Sequence, residues 1–159
     1  MARQFDLVAQ LKPTQMIYPQ TTNGTVTSQV ITLKDAHKAF VVFEFTQAQS
    51  FASVITLHQA TSIAAGTNAA GPTCRIWANE DAATTDTLVA KTAGATYTLT
   101  ADQKHKQVVF EIDPATLTAG YDCIYFTMAT SSQATNFVSA TAFLVGRYQQ
   151  ATPPSAILD

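Results

Sequence analysis

The chain has 159 residues, which suits one domain with a sizeable hydrophobic core. Only 13% of the residues are charged, about half of the usual share, and nine Lys and Arg against eleven Asp and Glu leave a net charge of −2. This composition argues against nucleic-acid binding, which usually needs a basic patch, and an uncharged polar surface favours association with a protein partner.

The first residues, Met1 to Asp6, contain no apolar stretch typical of a secretory signal, and no apolar run approaches the ~20 residues that cross a bilayer. We therefore expect synthesis in a cytoplasm and no membrane association. Cys74 and Cys123 each lie in an apolar, strand-like run. In a reducing compartment such cysteines are more often buried free thiols than disulfide partners.

Residues 1–19 are predicted to form an N-terminal arm. Phe5, Val8 and Leu11 recur at helical spacing, but a proline two residues later limits any helix to one or two turns, too short to be stable alone. A second apolar cluster follows at residues 16–18. The arm therefore needs another surface to lie on.

The densest apolar run of the chain is FVVFEF at residues 40–45, bounded on both sides by turn residues. Apolar side chains point to both faces of such a strand, so we predict a central strand covered on both sides. Glu44 is the exception within it. We expect this carboxylate at a sheet edge or beside a Lys or Arg, because an unpaired buried charge is costly.

The rest of the chain alternates strands and turns without helical crossovers. Further strands are predicted at residues 30–33, 53–58, 73–78, 88–91, 97–99, 107–112, 121–128 and 137–145. The pattern predicts an all-β fold, an antiparallel β-sandwich of immunoglobulin-like or related Greek-key type, with a β-barrel as the alternative.

Several local features refine this prediction. Residues 88–91 and 97–99 fit a hairpin around Ala93-Gly94, and residues 60–71 read as a long exposed loop. Tyr121 comes two residues before Cys123 after a glycine-containing turn, as in a tyrosine corner. Residues 149–159 are predicted to form a C-terminal arm, so the domain proper spans residues 20–148.

No catalytic or metal-binding pattern stands out, and we predict neither enzyme activity nor a cofactor. The three histidines lie in or beside different strands and turns, without metal-ligand spacing, and no phosphate loop or nucleophile elbow occurs. The acidic loop from Asn79 to Asp86 offers oxygen ligands of the kind that calcium uses, but a solvated turn is the preferred interpretation. Trp77 is interpreted first as a core residue and second as a sugar-stacking or partner-facing aromatic.

Eight short segments, spread over most of residues 18–148, resemble the head decoration (cement) proteins of tailed bacteriophages. They are YPQT (18–21), VITLKDAHK (30–38), WANED (77–81), DTL (86–88), EIDP (111–114), GYDC (120–123), VSA (138–140) and RY (147–148). The resemblance implies a virion structural protein on the capsid exterior, made in the bacterial cytoplasm, that binds the major capsid protein and stabilises its lattice. Separately from the resemblance, we expect self-association on the capsid, as a trimer or dimer.

Both predicted arms would supply the apolar anchors for this partner. The candidate partner-binding residues are Phe5, Leu7, Val8, Leu11, Met16, Ile17, Tyr18, Ile157 and Leu158. The alternatives are another virion component, such as a tail, neck or head-fibre protein, and a receptor-binding or carbohydrate-binding β-module that uses Trp77 and residues 60–71. An enzyme ranks third, with Glu44 or His58 near another titratable group.

Overall fold

The computed structural model describes residues 7–148 and 152–158, which form two antiparallel β-sheets with very little helix. The helical elements are a single turn, α1 (Leu7–Gln10), and a 3-10 turn (Pro114–Thr116). The strands are β1 (Leu11–Thr21), β2 (Val26–Thr27), β3 (Ile31–Thr32), β4 (Ala36–Thr46), β5 (Val54–Ala60), β6 (Asn68–Ala70), β7 (Cys74–Asn79), β8 (Val89–Gly94), β9 (Thr96–Thr98), β10 (His105–Ile112), β11 (Cys123–Met128) and β12 (Phe137–Gly146).

The two sheets pack face to face as a sandwich. Sheet A has the strand order β1-β12-β4-β10-β7-β8, and sheet B has the order β2-β11-β5-β6, with β3 also on β11 and β9 also on β5. Every strand pair is antiparallel. The predicted β-sandwich is confirmed, and the chain does not close into the barrel that was its alternative.

Strand β4, which contains the FVVFEF run, is central to sheet A and pairs with β12 and β10. Its inward side chains form the middle of the core. The Phe43 ring meets Phe110 of sheet A and Phe126 of sheet B edge-to-face, with ring centroids 5.8 Å and 5.0 Å away. This aromatic contact joins the two sheets, and such pairs add to the free energy that burial of the rings already provides.

The opposite side of β4 belongs to the outer face of sheet A, which is turned away from sheet B. Phe40 and Val42 lie there half-buried, so the prediction that β4 is covered on both faces is wrong for this chain alone. Cross-strand register puts Trp77 in the same row as Val42 and Val109. Trp77 is thus a half-buried residue of the outer face, not the core residue that was predicted first.

Glu44 also points to the outer face. Both predicted settings are wrong, because β4 has a neighbour on each side and, among the described residues, no Lys or Arg pairs with this carboxylate. The charge is tolerated there since the side chain is exposed to solvent and pays little desolvation cost.

The N-terminal arm prediction is wrong for residues 11–19. These residues belong to β1, which pairs with β12 from Leu11 opposite Val145 to Thr21 opposite Phe137. An irregularity in the pairing between Gln15 and Ile17 turns two consecutive side chains inward, so Met16 and Ile17 are 1% and 2% exposed within the core. Phe5 lies outside the described residues.

The C-terminal segment 152–158 is docked on the domain as well. The backbone N–H of Thr32 donates to the carbonyl of Ala156 at 2.8 Å, and Ala156 is buried. Lys12 Nζ donates to the carbonyl of Pro154. Both predicted arms therefore gain backbone hydrogen bonds from the domain itself, which the apolar pattern alone did not indicate.

Two further predictions are corrected by the strand topology, and a third gains no support from the hydrogen bonds. Strands β8 and β9 do not form a hairpin, because β8 pairs with β7 in sheet A and β9 pairs with β5 in sheet B. The predicted loop at 60–71 contains β6, which pairs with β5. Among the hydrogen bonds of the described residues, none uses the Tyr121 hydroxyl, so the tyrosine-corner interpretation gains no support.

Candidate interaction surface

The polar side chains of the acidic loop form hydrogen bonds and ion pairs within the chain. The Glu80 carboxylate accepts hydrogen bonds from Tyr97 Oη, from Thr100 Oγ1 at 3.0 Å and from Lys106 Nζ at 3.1 Å. Asn79 Oδ1 accepts from the backbone N–H of Asp81 at 2.9 Å, as in a self-bonded polar turn. Within residues 7–148 and 152–158, no three His, Cys, Asp or Glu side chains group closely enough to hold a metal ion. The geometry therefore fits the turn interpretation better than a calcium site.

The environment of Glu80 predicts a pH-dependent stability. Burial alone raises the pKa of Glu80, but hydrogen bonds from Tyr97, Lys106 and Thr100 outweigh it and hold that pKa below its ordinary value of 4.5. A carboxyl with a depressed pKa in the fold stabilises above its unfolded pKa, and this contribution is lost as the pH falls through the folded pKa. The free energy of unfolding, measured with urea, should fall steeply between about pH 6 and about pH 3. In Glu80→Gln this fall should be shallower. If the free energy of unfolding of the wild type and of Glu80→Gln had the same dependence on pH, the prediction would be contradicted.

His105 lines the same cleft as Glu44 on sheet A, whereas His58 lies apart from both. His58 lies on sheet B, where its ring stacks on Tyr125 with centroids 4.8 Å apart and Nε2 lies 2.8 Å from Thr127 Oγ1. Burial lowers the pKa of His58. Glu44 lies on the outer face of sheet A, in a cleft that His105 also lines, which is the proximity of Glu44 to another titratable group that the enzyme hypothesis named.

Both cysteines are buried, as predicted, and no disulfide joins them. They belong to different sheets, with Cys74 on β7 and Cys123 on β11. Burial, together with the Glu111 carboxylate, raises the pKa of Cys74 to about 12. Its thiol is therefore protonated at neutral pH and serves as a small apolar core group.

A group of exposed apolar side chains comes from both ends of the chain, and we refer to it as the terminal patch. Its members and their exposed fractions are Leu7 (45%), Val8 (56%), Tyr148 (79%), Ile157 (44%) and Leu158 (70%). Scattered apolar residues are normal on a protein surface, whereas a contiguous exposed group often marks a contact with another protein.

The fold explains why these residues converge. Helix α1 immediately precedes the start of β1, which pairs with the end of β12, so Val8 and Tyr148 come to the same end of the sandwich. A shallow cavity there is lined by Val8, Tyr148 and the docked segment Pro153–Ala156. Ile157 and Leu158 follow directly. Both ends of the chain thus bring exposed apolar side chains to the same end of the sandwich.

The other predicted partner-binding residues lie elsewhere. Met16 and Ile17 fill the core and cannot contact a partner in this fold, so the prediction is wrong for them. Leu11 is partly buried at the start of β1. Tyr18 is 60% exposed but lies seven residues further along the strand, roughly 23 Å away. Its hydroxyl accepts a hydrogen bond from Gln29 Nε2 at 3.3 Å.

Sequence reasoning missed Tyr148 as a member of the terminal patch. It lies one residue before the predicted C-terminal arm, and only the pairing of β12 with β1 brings it beside α1. A large aromatic residue directly after a strand and before a polar segment was the available signal.

The alternative carbohydrate site is not assembled as predicted. Trp77 lies on the outer face of sheet A, whereas residues 60–71 belong to the β5–β6 connection and β6 in sheet B. The two parts are on different sheets, so they do not form one site.

No helix among the described residues has the length and apolar character of a membrane span.

No protein-family model matches the chain, and the search of curated proteins found no match. The crystal structure of the SPBc2 prophage-derived protein YomS is similar over 86% of this chain and 93% of that one, with a TM-score of 0.52 and 12% identity. A structure titled "CBM4 structure and function" matches over 75% of this chain and 56% of that one at 12% identity, with a TM-score of only 0.34. The chain therefore shares its sandwich fold with a prophage-derived protein.

Proposed function

We propose that this protein is a virion structural protein that binds the outer surface of a phage head and stabilises the lattice of the major capsid protein. The observation that carries the proposal is the terminal patch, an exposed apolar surface on a domain whose core is otherwise complete. The sequence resemblance to head decoration proteins supports it. A fold shared with a prophage-derived protein agrees with it.

The docked termini change how binding would work. Arms that fold only on contact lose conformational entropy at that moment, which weakens binding. Here β1 and the segment 152–158 are already hydrogen-bonded to the domain, so the terminal patch is ordered before contact. Pre-organisation of this kind leaves more of the burial energy for affinity, roughly 25 cal/mol per Å² of apolar surface.

Stabilisation of the head follows from preferential binding. A ligand that binds the expanded lattice, and not the immature one, shifts the equilibrium towards the expanded form by mass action. The low charge of the chain suits this role, because contacts between apolar and neutral surfaces are insensitive to salt. Self-association as a dimer or trimer, and the absence of nucleic-acid and membrane partners, stay predictions.

Two rival functions remain. A tail, neck or head-fibre protein would use the same apolar surface on a different virion partner. A receptor-binding module would bind purified glycans or host receptors in the absence of any virion part. A tail or neck protein and a receptor-binding module both predict that expanded heads do not take up the protein.

Co-sedimentation with heads tests the proposal. We expect the protein to sediment with expanded heads assembled from the coat protein encoded with this chain, and not with immature heads. The double variant Val8→Ser, Leu158→Ser should bind at least about tenfold more weakly, since each substitution removes an anchor worth about 1 kcal/mol or more. The matched control is Val89→Ser, because Val89 is 53% exposed on β8, outside the terminal patch.

The result has a clear reading. Normal binding by the control and weak binding by the double variant, with unchanged circular dichroism in both, supports the proposal. Equal binding by all three proteins would overturn the role of the terminal patch, and no binding by the wild type would overturn the head-binding function.

A further inference from the structure

A cleft of about 370 Å³ with a mixed polar and apolar lining opens on the outer face of sheet A, at the end opposite the terminal patch. Cross-strand register defines its floor as two adjacent rows of three side chains. The rows are Ser139, Glu44 and Gln107, followed by Phe137, Thr46 and His105. Because residues two apart on a strand point the same way, all six side chains face the cleft.

Glu44 is the charged residue at the centre of the first row. It interrupts the most apolar strand of the chain, a position where glutamate is disfavoured. Its cross-strand neighbours, Gln107 and Ser139, are neutral. In the part of the chain that the structure describes, no hydrogen bond or ion pair uses its carboxylate. The carboxylate is therefore available to a ligand.

The neighbours of Glu44 suit hydroxyl groups. Gln107 and Ser139 can each donate and accept hydrogen bonds, and the Glu44 carboxylate accepts at two oxygens. A hydroxyl both donates and accepts, so a pair of neighbouring hydroxyls could use all three groups at once. The exposed ring of Phe137, 45% accessible at the edge of the cleft, offers a flat apolar face.

A cation fits this lining less well. Glu44 and His105 are the strongest metal-ligand side chains in the cleft lining, and His105 Nδ1 already lies 3.1 Å from Thr46 Oγ1. An aromatic face beside neutral groups that donate and accept hydrogen bonds is instead what a sugar ring needs. One side of a pyranose is apolar C–H surface, and its rim carries hydroxyls.

We propose that this cleft binds a neutral hexose unit of a glycan, stacked on Phe137 and hydrogen-bonded through two neighbouring hydroxyls to Glu44 and Gln107. The cleft lies about ten residues along β4 from the terminal patch, roughly 30 Å away. A molecule bound through its terminal patch would therefore keep the cleft open to solvent. The glycan site is independent of head binding and goes beyond it.

Nitrogen-15 NMR titration of the free protein tests this inference, with glucose, galactose, mannose and N-acetylglucosamine as probes. We expect at least one sugar to shift the backbone amides of the two rows, with weak affinity typical of single sugar units. Phe137→Ala should weaken that binding about tenfold or more through loss of the stacking face. Glu44→Gln keeps the shape but loses an acceptor and should weaken it by a similar factor.

The control is Tyr148→Ala, which removes a 79% exposed aromatic ring from the terminal patch. It should leave sugar binding unchanged and weaken head binding, whereas Phe137→Ala should do the reverse. The inference would be overturned if none of the four sugars shifts the cleft amides, or if the shifts persist in both cleft variants. It would also be overturned if a lysine-containing coat peptide, and no sugar, occupied the cleft.

Discussion

Replacing Lys106 with methionine is expected to lower the free energy of unfolding by about 3 kcal/mol. The Lys106 side chain is fully buried, and its ammonium donates to the carbonyl and the hydroxyl of Thr100, each at 2.6 Å, as well as to Glu80. Methionine fills the same space but leaves the partly buried Glu80 carboxylate without its cation. Urea denaturation, read as a change in midpoint at constant slope, measures the effect.

A surface ion pair in the same region supplies the control. Lys104 Nζ lies 2.8 Å from Asp81 Oδ2, but the two side chains are 43% and 26% exposed, in contrast to the fully buried Lys106. Lys104→Met should therefore change stability little, because exposed pairs contribute little. Adding Glu80→Gln to Lys106→Met should recover part of the loss, since the stranded charge is removed. Equal effects of the two lysine substitutions would contradict this account.

Phe43→Ala should cost about 4 kcal/mol of unfolding free energy, which is typical of a large aromatic residue truncated in a close-packed core. The Phe43 ring is fully buried and contacts aromatic rings from both sheets. Differential scanning calorimetry and urea unfolding should both report the loss.

Phe40→Ala is the matched control on the other side of β4, three residues earlier on the same strand. Its ring is half-buried on the outer face, so we expect a loss of about 1 kcal/mol. A cost for Phe40→Ala as large as that for Phe43→Ala would mean that the outer face of sheet A is covered in solution, by a second copy or another element.

Strand identity was predictable from the sequence because it depends on local alternation. Residues 40–45 and 137–145 have period-two or continuous apolar patterns that no other element accommodates at that length. Which strands pair with each other was less predictable. The chain crosses between sheets at Gly94, a change of partner that the alternation of residues 88–99 does not encode.

The wrong prediction for the N-terminal segment has a specific physical cause. Its prolines and short apolar clusters match neither a helical pattern nor the pattern of a regular strand. The segment was therefore predicted to be an arm. In the structure, β12 offers a free edge, and the irregular pairing near Met16 places two adjacent side chains in the core. Tertiary context of this kind overrides local propensity.

The candidate surfaces were predictable to different degrees. Val8, Ile157 and Leu158 stood out as apolar residues near the chain ends, and they are exposed. Glu44 stood out as a charge in an apolar strand. Its neighbours in the cleft come from β10 and β12, so only the register shows which side chains accompany it.

Electron cryomicroscopy of expanded heads saturated with this protein tests head binding and its orientation together. We expect additional density on the outer surface of the shell, with the sandwich standing on its terminal patch and the Glu44 cleft directed outward. Density at the tail or neck alone, or a sandwich that meets the shell through the Glu44 end of sheet A, would contradict the proposal.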